Sequence, residues 1–186
     1  MRSLLALAFS LAAAPALAHT GHGTDGFGAG FAHPFGGLDH LLAMVAVGVW
    51  AARAGLEQRW VWPAVFVSAM TIGASLGYVG IALPGMELLI ALSVVVLGAA
   101  LALSWRATTL LGALVIAACG VAHGWAHGAE APTEAAAVYM AGFLVATALL
   151  HAIGLAIGQA RVPQPAVRLA GLGVALAGMV LAAGVA

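Results

Sequence analysis

Charge is almost missing from this chain. Of 186 residues only 6% are Asp, Glu, Lys or Arg; lysine does not occur at all, and six arginines balance six acids. A soluble domain carries about 25% charged residues, and a nucleic-acid-binding face needs lysine and arginine gathered in one place, so both classes are excluded. A single cysteine, Cys119, leaves no partner for an internal disulfide. The chain contains neither a Gly-x-x-x-x-Gly-Lys phosphate loop nor a His-Glu-x-x-His zinc motif, which removes ATP hydrolysis by this chain and metalloprotease chemistry. What it has instead is hydrocarbon. Hydrophobic residues make up 64% and the mean hydropathy is +1.12, the composition of an all-α integral membrane protein.

Residues 1–18 have an early positive charge at Arg2, an apolar core from Leu4 to Leu11, a break at Pro15 and a small-x-small ending, Ala16-Leu17-Ala18. This reads as a cleaved signal peptide, since the apolar run falls short of the about 20 residues that a spanning helix needs. Residues 19–186 then form one six-helix transmembrane domain that starts at His19. Six apolar stretches follow, at 34–52, 61–83, 87–105, 107–128, 135–158 and 166–185, each of spanning length. Every arginine after the leader (Arg53, Arg59, Arg106, Arg161, Arg168) falls in an alternate loop. The positive-inside rule therefore puts those loops in the cytoplasm and both ends of the mature chain outside, where a cleaved leader also leaves the N-terminus. The expected location is the bacterial inner membrane, crossed many times. Trp50, Trp60, Trp62 and Trp105 stand near span ends, as an aromatic belt does. Glycines recur at four-residue spacing as Gly73/Gly77, Gly120/Gly124/Gly128 and Gly154/Gly158, a pattern that brings helix backbones close in lipid.

The informative polar residues lie inside these spans. An ionisable group in hydrocarbon costs on the order of 2.5 to 3.5 kcal/mol on insertion scales and marks a functional site by default. The first span opens Ala32-His33-Pro34-Phe35-Gly36-Gly37-Leu38-Asp39-His40, and the fourth closes with His123-Gly124-Trp125-Ala126-His127-Gly128-Ala129-Glu130. Pro34 suits the opening of a helix, with Asp39 and His40 roughly 8 to 10 Å further along its axis. In the fourth span His123, His127 and Glu130 share one helical stripe, which Cys119, read as a small buried hydrophobe, extends inward. The glycine row runs one position later, about 100° around the helix, so packing on one side aims the imidazoles to another. With the N-terminus outside, both clusters lie in the outer half of the membrane and face each other. Asp39 and His40 point about 100° apart, so one either binds beside the other or orients it, as carboxylates orient ligating histidines. His151, past the midpoint of the fifth span, is a candidate inner station, in keeping with the several moderate sites that conduction needs.

His33, Asp39, His40, His123, His127, Glu130 and His151 are thus the candidate metal ligands. Imidazole with carboxylate suits Ni²⁺, Co²⁺ and Zn²⁺ better than Mg²⁺ or Ca²⁺, which favour oxygen shells. The ion is cargo; no permanently bound cofactor and no catalytic residue is expected. The expected partners are a divalent metal and the bilayer, with a homo-oligomer left open. Two other readings compete. Paired histidines on facing helices also hold haem in four-helix cytochromes, although Asp39 and two histidines one turn apart would crowd a porphyrin. A non-transporting metal sensor or accessory protein would differ by failing to move metal into sealed vesicles.

His33 followed after five residues by Asp39-His40, and His123-Gly124-x-Ala126-His127-Gly128-x-Glu130, together resemble the signatures of the HupE/UreJ family of bacterial nickel and cobalt permeases. Similar texture runs through Glu87 to Gly98 and Gly142 to Gly154, so the resemblance covers most of the mature chain. It implies secondary transport of Ni²⁺ or Co²⁺ across the inner membrane to supply metalloenzymes such as hydrogenase or urease. Ala122 departs from the pattern, standing where the family commonly has an aromatic residue.

Overall fold

In hydrocarbon a backbone must satisfy its own hydrogen bonds, and a helix does so within one segment. The computed structural model describes residues 26–185, and the leader and His19 lie outside the described residues. Seven helices follow one another: α1 Gly26–Gly36, α2 Leu38–Ala54, α3 Gln58–Tyr78, α4 Met86–Ala102, α5 Thr109–Glu130, α6 Ala136–Gln159 and α7 Gln164–Val185. No strand occurs among the described residues. Helices α3, α5, α6 and α7 are each long and apolar enough to cross a membrane, and α1 with α2 makes a fifth candidate, bent by 82°. Helix α4, with 17 residues, rises about 25 Å and is shorter than the 87–105 stretch suggested.

The expected unbroken first span, 34–52, is corrected by that bend. Two adjacent glycines, Gly36 and Gly37, carry the poorest helix propensity short of proline, and Gly37 adopts an extended conformation at φ −101°, ψ 121°. A Cβ on Gly37 would stand 2.7 Å from Asp39 Oδ1 and 3.0 Å from His40 Nδ1. Pro34 accordingly does not open the helix carrying Asp39 and His40; it lies inside α1, near its end. The chain upstream of His33, back to Gly26, is helical as well.

Glycine rows set the helix pairing, as the four-residue spacing predicts. On α5, a Cβ at Gly120, Gly124 or Gly128 would run into the backbone of Phe66, Met70 or Ala74 on α3, and Gly73 and Gly77 of α3 meet Val121 and Trp125 of α5 in return. Gly48 of α2 touches Gly154 of α6, Gly98 of α4 faces Gly171 and Ala175 of α7, and Gly30 of α1 lies against Tyr139 of α6. The α5 glycines therefore point at α3, and His123 and His127, one position earlier in the chain, stand about 100° around the helix from them.

The three arginine-bearing loops come together at one end. Arg53 donates to the Val162 carbonyl at 2.8 Å, Arg168 to the Ala102 carbonyl at 2.9 Å, and Gln58 to Thr109 Oγ1 at 2.8 Å. Tyr78 with Thr133, and Trp125 with Ile81, tie the other loops together at the opposite end. The aromatic belt is corrected in part. Trp60 is exposed, but Trp50 and Trp62 are core residues, their rings 4.5 Å apart and tilted by 47°. Trp50 donates to the Trp105 carbonyl and Trp62 to the Thr109 carbonyl, because a buried indole N–H needs an acceptor.

Candidate metal site

The end opposite the arginines is where the polar spans converge. Breaking the first span folds His33 of α1 back over His40 of α2, so their ring centroids are 6.2 Å apart; seven residues of unbroken helix would separate them by about 10 Å along the axis. His127 of α5 enters between them, 4.7 Å from His33 and 4.4 Å from His40. His123, one turn deeper on the same helix, is 4.7 Å from His40. Phe143 of α6 closes one wall, its ring 3.7 Å from that of His127. The cluster grades from wet to dry. Side-chain exposure is 52% at Glu130, 35% at His33, 22% at Asp39 and 9% at His40, and His123 and His127 are wholly buried.

Hydrogen bonds decide which nitrogen of each ring is available. Asp39 Oδ1 accepts from the His40 backbone N–H at 2.7 Å and pairs with His40 Nδ1 at 2.6 Å. An ionised carboxylate only accepts, so Nδ1 carries the proton and Nε2 keeps the lone pair. Ser93 of α4 donates its hydroxyl proton to the Ile90 carbonyl and stands 2.8 Å from His123 Nε2. Nε2 of His123 is then the donor, and the lone pair is at Nδ1. His151 Nδ1 lies 2.8 Å from the Met44 carbonyl, which again assigns the lone pair to Nε2. In all three cases the lone-pair nitrogen is buried and has no partner, and His127 has no partner at either ring nitrogen. Each unsatisfied buried polar atom costs about 1 to 3 kcal/mol, and several of them on neighbouring rings are what a cation would satisfy.

The outer part is looser. His33 Nδ1 pairs with Tyr139 Oη at 2.8 Å, and its Nε2 is 3.6 Å from Glu130 Oε2. Ligand atoms of His33, His127 and Glu130 lie within 4.8 Å of one another. Around a tetrahedral ion with bonds near 2.0 to 2.1 Å they would stand about 3.3 Å apart, so this mouth has to contract to grip one.

The structure brings His33, Asp39, His40, His123, His127 and Glu130 together, and leaves His151 apart on α6, with the ring of Phe66 near both His123 and His151. Asp39 faces the ring of His40, the orienting arrangement of the two that the sequence left open. Cys119 is buried in the apolar core. Ala122 packs with Ile90 and Ala126 between α4 and α5. Sequence reasoning missed Ser93, Tyr139, Phe143 and Gly37. Ser93 left a signal, being the lone polar residue of α4 past Glu87; the two aromatic residues left none, because their partners lie on helices distant in the chain.

Apolar helices of crossing length around a buried imidazole cluster define a multi-pass membrane protein with a polar site near one end. Residues 7–181 match the family model described as HupE / UreJ protein. The chain is 46% identical over 171 residues to Protein HupE of Rhizobium leguminosarum bv. viciae, covering 90% of each chain. It belongs to the HupE/UreJ family. No solved structure matches it significantly.

Proposed function

We infer that this protein is a secondary permease that moves a divalent transition metal, Ni²⁺ or Co²⁺, across the bacterial inner membrane to supply metalloenzymes such as hydrogenase or urease. One observation carries the reading: inside a membrane protein the ring of His40 lies 4.7 Å from that of His123 and 4.4 Å from that of His127, and each of the three keeps a buried nitrogen without a partner. In this reading Glu130 and His33 attract and partly dehydrate the ion at the mouth, and Glu130 offsets its charge. His40 Nε2, His123 Nδ1 and His127 hold it in the dry part. Asp39 keeps the His40 ring in the binding tautomer, and Ser93 does the same for His123. His151 receives the ion on the inner side.

Six crossings with both ends of the mature chain outside complete the proposal, with the bent α1–α2 pair and the short α4 each counted as one crossing. The clustering of all three arginine loops at one end supports that orientation under the positive-inside rule. The facing rings at 4.4 to 4.7 Å leave no space for a porphyrin between them, which weighs against the haem reading.

Purified protein in sealed proteoliposomes, offered Ni²⁺, Co²⁺, Zn²⁺ and Cu²⁺ separately, tests this directly. Saturable uptake of Ni²⁺ or Co²⁺ that is lost in His40→Ala and His127→Ala is the expected result. Metal bound by the purified protein without uptake into vesicles would replace transport by an accessory, metal-holding role.

A further inference from the structure

The imidazole cluster and His151 are not in contact. The side chain of Phe66 on α3, fully buried, adjoins both. Its ring is 5.9 Å from that of His123 and stands perpendicular, at 89°, to that of His151, 5.0 Å away. On either side a nitrogen lone pair ends without a partner, Nδ1 of His123 and Nε2 of His151. Met44, whose carbonyl orients His151, is itself fully buried. One hydrocarbon ring thus adjoins two unsatisfied ligands.

We propose that Phe66 is the gate of the permeation path, an aromatic plug that separates the outer histidine cluster from an inner ligand at His151 and has to swing aside for each ion. A divalent ion cannot rest against hydrocarbon, and hydrophobic constrictions are a known means of closing a pore. The backbone under the ring has little freedom: a Cβ at Gly120 would stand 2.7 Å from the Phe66 carbonyl oxygen and 3.3 Å from its Cα. Opening is therefore a rotation of the side chain and leaves the α3–α5 contact in place. The closed ring also keeps both lone-pair nitrogens from sharing one ion, which would be held too tightly to leave. A plug so placed gives the outer cluster the task of selection and leaves the rate of passage to a residue that binds nothing.

The proposal rests on the transport reading above, and its test separates the two. Wild type, Phe66→Trp and Phe66→Leu are purified, their Ni²⁺ affinity is measured by titration in detergent, and Ni²⁺ uptake and passive efflux are followed in proteoliposomes. The larger indole should hold the passage shut, lowering uptake by about tenfold or more while affinity stays within about threefold, because the outer ligands are untouched. The smaller leucine should raise passive Ni²⁺ efflux by roughly threefold or more. Wild-type uptake by Phe66→Trp, or efflux from Phe66→Leu no faster than from wild type, overturns the gate and leaves transport standing. Parallel loss of affinity and uptake in both variants makes Phe66 a packing residue and also overturns it. Wild-type vesicles that take up no Ni²⁺ overturn the transport reading itself.

Discussion

Replacing Asp39 by asparagine keeps the size and shape of the side chain and removes its charge. Asp39 Oδ1 takes two hydrogen bonds from a single residue, the backbone N–H of His40 at 2.7 Å and the ring at 2.6 Å. The amide oxygen of asparagine can accept from the same donors. What is lost is the charge assistance, the difference between about 1.5 to 3 kcal/mol for a hydrogen bond to a charged group and about 0.5 to 1.5 for a neutral one. That difference, roughly 1 to 1.5 kcal/mol, corresponds to about tenfold in a binding constant. Metal on Nε2 withdraws electrons and strengthens the Nδ1–H donor, so the carboxylate favours the loaded state and its loss falls on affinity. Asp39→Ala removes the acceptor altogether, frees the tautomer and the ring orientation, and should cost toward 100-fold, the upper end for the loss of such a partner. Calorimetric titration of Ni²⁺ into each purified variant reads both values. An asparagine variant within twofold of wild type, together with an alanine variant no weaker than the asparagine one, would refute the assignment of His40 Nε2 as a ligand oriented by Asp39.

Four other outcomes are expected. Ser93→Ala releases His123 from its tautomer, so Ni²⁺ affinity should fall by about 10-fold, read by the same titration, while helix content by circular dichroism stays unchanged. Tyr139→Phe removes the partner of His33 Nδ1 at the mouth and should raise the apparent KM for uptake by a few-fold with little change in maximal rate, since His33 serves entry. Gly124→Leu would drive its side chain into the Met70 backbone; overpacking of this kind costs about 1 to 3 kcal/mol and should appear as a lower melting temperature in detergent, whereas Gly173→Leu, with open space around it, should melt as wild type does. A periplasm-active reporter fused after Ala186 should be active, and activity of a cytoplasmic reporter there instead would mean an odd number of crossings.

Sequence alone determined the features that depend on composition and on neighbours along the chain. Scarcity of charge made this a membrane protein, and the glycine rows correctly named the helix faces that touch, because in lipid close backbone approach depends on the absence of a Cβ, which is a property of single residues. The stripe of His123, His127 and Glu130 was legible because all three ride on one regular helix, and their meeting with His33 and His40 came from shared depth in the membrane. The bend between α1 and α2 was not legible in the same way: Gly36-Gly37 permits a break, but the 82° angle depends on Gly30 docking against Tyr139 and on His33 folding back over His40. Trp50 and Trp62 looked like belt residues by position and proved to be core, since a tryptophan near a span end can point to lipid or to protein and only the neighbouring helices decide. The tautomers were decided by the tertiary structure too. Which nitrogen of His123 or His151 holds a lone pair depends on Ser93 and Met44, thirty and more than a hundred residues away in the chain, and no local pattern encodes a hydrogen bond formed between helices.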